Sequence, residues 1–267
     1  VQPTVALVTN AQREHQEFLQ TVEATARENG EIYRVLPSSG IAVIPSDDAC
    51  RTIWLEMAQH ANIMTFGIDA SSDVTGCLKA GTNGMTALIK TPLGTFEAKM
   101  KVRGEHNFKN ALAATAVCLA MNVSPEVIKR GLESFEAIKG RGQVHQIGHV
   151  TVIDDAYNAN PDSMKAAIDL LTSYPAPRFF VAGDMAELGA RSISYHEEVG
   201  AYAAEKHIDG FFATGQQMRY AVQKFKSLNP KGHALWQPDR EKFIESVLEE
   251  SHGYRTVSVK ASNSMKL

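Results

Sequence analysis

The chain has 267 residues, of which 44% are hydrophobic, enough for two ordinary cores at roughly 100–200 residues per domain. Its formal net charge of −3 and the absence of a long basic run exclude a sequence-independent nucleic-acid binder, which needs a basic face for phosphates. Cys50, Cys77 and Cys118 are widely spaced with no CxxC, so neither a disulfide framework nor a zinc cage is indicated, and a reducing cytoplasm fits.

No segment reaches the ~20 apolar residues of a membrane span, and no basic region followed by an apolar stretch opens the chain. Val1 already lies in a strand pattern, which predicts a start further upstream. Residues 5–8 read as a buried strand ending in Thr9-Asn10. Residues 14–29 then read as a helix with Phe18, Leu19, Val22 and Ala26 along one side, closed by Gly30 at C′. A strand at 41–44, a helix at about 47–60 carrying Ile53, Trp54 and Met57 inward, and a strand at 63–67 follow. Gly76, Gly81 and Gly84 punctuate short strands. Thr91-Pro92-Leu93-Gly94 turns a hairpin between 85–90 and 96–102, whose alternation leaves one face wet. Residues 106–121 form a strong helix burying Leu112, Ala113, Ala116, Val117 and Ala120, and Ser124-Pro125 caps another to about 134.

Residues 137–143 (A-I-K-G-R-G-Q) break the pattern with two glycines and two basic residues, a candidate interdomain linker. Steady alternation follows: strand to 153, helix to about 173, strand 179–182, helix from 194, strand 210–213 and helix from 216. Strand 234–236, a helix capped by Asp239 and strand 256–259 complete it. Such alternation predicts a parallel sheet with helices on both faces.

The stretch 152–164 (V-I-D-D-A-Y-N-A-N-P-D-S-M) organises this second half. A β-branched run stops at Asp154 and Asp155, and Asn160-Pro161 reads as an N-cap with proline at the first helical position. In an open α/β sheet ligands bind outside the carboxyl ends of strands, which is where residues 154–160 fall; a polar loop without chemistry is the plainer alternative. Neither GxxxxGK[ST] nor GxGxxG occurs, which counts against an independent nucleotide enzyme.

The remaining candidates are scattered polar groups. His15, just past the first strand with Glu14 and Glu17 beside it, could take a divalent metal, though a solvated helix-start histidine is commoner. Asn107 and Asn110 share a helical face with amides able to read a purine edge, or Asn110 satisfies a buried backbone group. Arg141 offers a forked, always-charged donor suited to phosphate, or is an exposed linker charge. Asp184 and Glu187 in G-D-M-A-E-L-G, His196 further on, and Lys260 at the last strand also cluster at carboxyl ends.

These residues resemble a known family, the ATP-dependent Mur ligases of peptidoglycan synthesis, and within it the MurF type, which joins D-alanyl-D-alanine to UDP-N-acetylmuramoyl-tripeptide. The likeness is carried by T-N-A-Q-R-E-H (9–15), E-H-N-F-K-N-A-L-A-A (105–114), G-R-G (140–142), D-D-A-Y-N-A-N-P (154–161), G-D-M-A-E-L-G (183–189), H-E-E-V-G (196–200) and V-K-A-S (259–262). It implies an α/β chain: the later part of a central ATPase domain over 1–142, then a C-terminal Rossmann-like domain with a mainly parallel sheet over 143–267. The P-loop and UDP-sugar domain would lie upstream, so this stretch alone is expected to be inactive.

By the same resemblance His15 is the position of a magnesium ligand, and Asn107, Asn110, Arg141, Asp155, Tyr157 and Asn158 face ATP. Asn160, Asp184, Glu187 and His196 serve the dipeptide, while Asp155, His196 and Lys260 serve the chemistry. The partners implied are the UDP-linked tripeptide and D-alanyl-D-alanine, with ATP and Mg2+ as cofactors, for a cytoplasmic monomer that binds no nucleic acid. Two departures stand out: Ala261 and Asn263 replace the glycine and arginine of a usual V-K-G-S-R, and Asn29 stands where many relatives carry a lysine that becomes carbamylated. The alternatives are another amide ligase of the superfamily, MurE-like or folylpolyglutamate synthase-like, and a phospho-receiver module. The last fits poorly, because Asp184 follows the second strand of its half and Lys260 precedes alanine instead of proline.

Overall fold

A computed structural model describes residues 2–80 and 85–267; Gly81 and Gly84 lie outside the described residues. The chain divides into two compact units, Val1–Glu14 with Leu19–Glu136, and His15–Phe18 with Ala137–Leu267.

In the first unit β1 (Val5–Leu7), β2 (Ile41–Pro45) and β3 (Asn62–Phe66) form a parallel sheet in that order. The expected helix at 14–29 is instead two. A short α1 (Gln16–Leu19) ends at Gln20, whose φ is 64°, and Thr21 then caps α2 (Val22–Arg34) by accepting from Ala24 N at 3.1 Å. Phe18 is consequently 70% exposed, not part of a buried stripe. Gly30 does not stop the helix either. It lies inside α2 where α3 (Arg51–Met57) crosses, and a Cβ there would sit 2.7 Å from Met57 Sδ and 2.9 Å from Trp54 Cδ1. This glycine is required by close approach, not by a turn.

Ala6, Ala26, Tyr33, Ala42, Ile44, Trp54 and Met57 make one core face of that sheet. Tyr33 threads it, donating to Val43 O at 2.7 Å and accepting from Val8 N at 2.9 Å, so its burial leaves no hydroxyl unpaired. α4 (Glu105–Ala120) lies against all three strands; it buries Leu112, Ala113 and Ala116, whereas Val117 and Ala120 are only half-buried. An antiparallel sheet of β4 (Thr75–Ala80), β5 (Met85–Thr91) and β6 (Gly94–Met100) has α5 (Pro125–Ser134) packed on β6.

The second unit holds a six-stranded sheet built from β7 (Gln143–Ile147), β8 (Val150–Asp154), β9 (Arg178–Gly183), β10 (Gly210–Thr214), β11 (His233–Trp236) and β12 (Thr256–Lys260), in the order β11-β10-β9-β12-β8-β7. All pairings are parallel except β7 with β8. The expected strand-helix alternation is present through α6 (Pro161–Thr172), α7 (Ser192–Glu205), α8 (Met218–Leu228) and α9 (Arg240–Ser251), while β7 was not expected. Its residues are mostly exposed, so no apolar period marks it.

Successive strand residues point to opposite faces. Phe180, Ala182, Phe211 and Ala213 join a core with α6, α7 and α8, while Phe179, Val181 and Phe212 join Phe243 of α9 on the other side. The chain runs outward from β8 through β9, β10 and β11, and then β12 returns between β8 and β9. That reversal opens the carboxyl ends of three neighbouring strands to one another.

Candidate functional site

β8, paired on both sides, ends at Asp154, and α6 begins seven residues later at Pro161, behind its Asn160 cap. Asn160 Oδ1 accepts from Ser163 N at 2.7 Å while Ser163 Oγ accepts from Asn160 N at 2.9 Å, a reciprocal capping box with Pro161 in the first turn. The Asn160 carbonyl oxygen of the side chain is therefore committed to the helix. Between strand and helix, residues 155–159 form a loop held from two directions.

From one side comes the G-R-G segment. Gly140 N donates to Asp154 Oδ2 at 3.2 Å and Gly140 O accepts from Tyr157 N at 3.0 Å. Gly140 has a φ of 74°, and a Cβ on it would lie 3.2 Å from Tyr157 N, so glycine is needed twice over. The docking sets the Arg141 guanidinium 3.9 Å over the Tyr157 ring. Both side chains remain exposed, giving a flat cationic and aromatic surface.

From the other side comes β12. Val259 lies opposite Asp154 in register and its carbonyl accepts from Asp155 N at 3.0 Å. Lys260, next along, sends its ammonium to Asp155 Oδ2 at 2.7 Å, Asn158 O at 3.0 Å and Asp155 O at 3.4 Å. Arg141, Asp155 and Lys260, singled out by their spacing, thus meet on one loop with Tyr157 and Asn158, which only the resemblance had pointed to.

A second group sits past β9. The Asp184 carboxylate accepts from Gln217 N at 3.0 Å and from Met218 N at 2.8 Å, capping α8 from a neighbouring loop. Gly215, with a φ of 103°, is packed against that carboxylate so tightly that a Cβ would overlap it. His196 is fully buried. Its Nδ1 bonds Ser192 O at 2.7 Å and its Nε2 accepts from Met185 N at 3.1 Å, which fixes the proton on Nδ1. Burial holds its pKa below the ordinary value and outweighs the Asp184 carboxylate 3.9 Å away. Both ring nitrogens are used within the protein, so His196 is a satisfied core histidine here and presents no open donor. Gln217, whose Oε1 is buried without a partner, and Gly215 escaped the sequence reading; T-G-Q-Q at 214–217 carries no motif that would have raised them.

His15, with a φ of 53°, pairs through Nδ1 with Glu187 Oε2, and Glu17 N donates to Glu187 O at 2.9 Å. Among the described residues no group of three or more His, Cys, Asp or Glu side chains could hold a metal ion. The expected magnesium ligand is thus engaged by a carboxylate, and the described donors around it do not form a cage.

In the first unit, Asn107 Nδ2 donates to Arg103 O at 2.7 Å, and Asn110, one turn on, is exposed. Exposure removes the alternative that Asn110 satisfies a buried backbone group. Asn29 donates to Glu14 Oε1 at 3.2 Å.

Residues 1–118 match the model of the Mur ligase middle domain and residues 140–263 that of the Mur ligase, glutamate ligase domain. The UDP-N-acetylmuramoyl-tripeptide--D-alanyl-D-alanine ligase of Haemophilus influenzae is 39% identical over 78% of this chain and 46% of its own length. The crystal structure of MurF from Acinetobacter baumannii superposes with a TM-score of 0.89 at 31% identity, covering 100% of this chain and 58% of that one. The MurF ligase of Thermotoga maritima in complex with ADP shares the fold at a TM-score of 0.85 and 24% identity, covering 99% of this chain and 60% of that one. The chain spans about half the length of the curated relatives it matches. Among the described residues no helix is long and apolar enough to cross a membrane.

Proposed function

The chain belongs to the Mur ligase family, carrying its middle and C-terminal domains, and from that premise we propose that the protein is an ATP-dependent ligase of the MurF type. It adds D-alanyl-D-alanine to UDP-N-acetylmuramoyl-tripeptide in cytoplasmic peptidoglycan precursor synthesis. Residues 1–142 supply the later part of the central domain and 143–267 the C-terminal one.

The observation that carries the reading is the 154–161 loop. D-D-A-Y-N-A-N-P, which together with G-D-M-A-E-L-G carries the resemblance to the MurF type, is in this chain the loop against which Arg141 and Lys260 are set. The chemistry is an amide synthesis. ATP phosphorylates a substrate carboxylate, and the free amine of the dipeptide attacks the acyl phosphate, expelling phosphate and losing a proton. What the second unit contributes is charge and position. Arg141 offers a permanent cation above an aromatic ring, suited to the nucleotide, and Asp155 offers a carboxylate held just past the carboxyl end of β8. Asp184 and Glu187, at the end of β9, serve the dipeptide side. Asn107 and Asn110 of α4 present amides suited to adenine.

The test uses the full-length protein with UDP-N-acetylmuramoyl-tripeptide, ATP and, in parallel, D-alanyl-D-alanine, L-glutamate or a diamino acid, followed by mass spectrometry of the UDP product. The expected product gains the dipeptide alone. Preferential addition of glutamate would move the assignment to the folylpolyglutamate synthase-like branch, and addition of a diamino acid to the MurE-like branch.

A further inference from the structure

Lys260 reads from the sequence as a catalytic cation at a strand end, yet its surroundings give it different work. Only 4% of its side chain is exposed, against 24% for Asp155. An ammonium has three hydrogens, and three acceptors surround this one: Asp155 Oδ2, Asn158 O and the more distant Asp155 O. All three belong to residues 155–158, so no hydrogen is left to meet a reacting oxygen.

The anchor is rigid. β12 is flanked by β8 and β9, with Val259 opposite both Asp154 and Val181, and Lys260 opposite Ala182. The loop it grips is otherwise held near its start, by backbone bonds at Asp155 N and Tyr157 N and by Ala156 N donating to Asp154 Oδ1 at 3.3 Å. Asn158 Oδ1 is turned back on Ala159 N at 2.9 Å and does not tie the loop down. Lys260 is thus the side chain that bridges the start of the loop to its far end. It consumes one carboxylate oxygen of Asp155, fixing the rotamer in which the other is presented. It also pins Asn158, the residue after Tyr157, on whose ring Arg141 rests.

We propose that Lys260 is a positioning residue. It acts through Asp155 and Asn158 to preform the surface made by Asp155, Tyr157 and Arg141, and it does not touch the reacting atoms. The proposal rests on the reading of that surface as nucleotide-facing, and its test separates the two. Lys260→Met keeps the length of the stem and removes the ammonium, Lys260→Arg keeps the charge, and Asp155→Asn with Lys260→Met removes both charges so that no lone carboxylate is stranded.

Hydrogen exchange on the full-length protein, free of ligand, should show the amides of 155–159 losing protection in Lys260→Met while those of β9 and β10 keep theirs. In the full-length protein, KM for ATP should rise about tenfold or more with kcat within about threefold, and Lys260→Arg should restore most of it. The double variant should be no worse than Asp155→Asn alone, because the two residues act as one device. A kcat loss of about a hundredfold with KM and loop protection unchanged would make Lys260 catalytic and overturn the proposal. Unchanged kinetics, with or without a lower Tm, would overturn it as well. If the wild-type protein fails to ligate, the functional reading falls, and the exchange pattern still decides whether Lys260 holds the loop.

Discussion

Asp184, proposed above to serve the dipeptide, is in the fold a structural part. Its carboxylate receives two backbone N–H groups from the start of α8, at 3.0 Å from Gln217 and 2.8 Å from Met218. The helix has no side-chain cap of its own, so these bonds replace one. Asp184→Ala would leave both donors without an acceptor at a site where the side chain is 21% exposed. Helix caps contribute about 1 kcal/mol and bonds to charged groups about 1.5–3 kcal/mol. Discounted for partial exposure, the loss should be about 3 kcal/mol, or about 10 °C in Tm at roughly 3 °C per kcal/mol. Asp184→Asn keeps one acceptor oxygen aimed at the helix and should lose about a third of that. Thermal unfolding followed by circular dichroism on the three proteins measures both. If Asp184→Ala melts within about 2 °C of wild type, the carboxylate is not the cap and the reasoning fails.

Gly200→Ala should destabilise by at least about 2 kcal/mol, since an added Cβ on α7 would lie 2.7 Å from the Ala221 carbonyl carbon and 2.8 Å from its Cα on α8, and helix backbone cannot step aside; a urea midpoint equal to wild type would contradict this. His196 is neutral in the fold because burial lowers its pKa below 6.5, so its stabilising effect is complete above about pH 6.5 and is lost as pH falls toward and through its folded-state value. The gap in unfolding free energy between wild type and His196→Asn should therefore shrink from pH 7.5 to 5.5, and a constant gap would refute it. Asn29 has no amine to react with carbon dioxide and its amide is already given to Glu14; full-length activity should be indifferent to bicarbonate depletion in chloride buffer, and a fall reversed by bicarbonate would place a carbamylated lysine elsewhere.

The 152–164 stretch was legible because its signals are local. A β-branched run fixes β8, and Asn160-Pro161 fixes the start of α6 through bonds to Ser163, three residues away. What the sequence hides are partners far along the chain. Gly30 looks like a helix stop until Trp54 and Met57 are seen against it, and Lys260 looks like a free cation until Asp155, 105 residues earlier, is seen beneath it. His196 offers the same pattern whether it faces a cleft or a core; only the bonds to Ser192 O and Met185 N decide. β7 could not be read from periodicity because pairing with β8, not burial, makes it a strand. The G-R-G segment reads as a linker carrying a candidate phosphate donor; that Gly140 is bonded to Asp154 and Tyr157, and so aims Arg141, depends on partners 14 and 17 residues away that its local pattern does not reveal.

The central claim is that the protein makes an amide through an acyl phosphate, with the 154–161 loop serving the nucleotide. The most direct measurement labels the acceptor carboxylate of UDP-N-acetylmuramoyl-tripeptide with oxygen-18 and follows the label during turnover by the full-length protein with ATP and D-alanyl-D-alanine. The carboxylate oxygen that attacks the γ-phosphorus must leave on phosphate when the amine attacks the acyl carbon. One labelled oxygen should therefore appear in inorganic phosphate for each amide formed, whereas phosphate free of label, with amide accumulating at the same rate, would contradict the account.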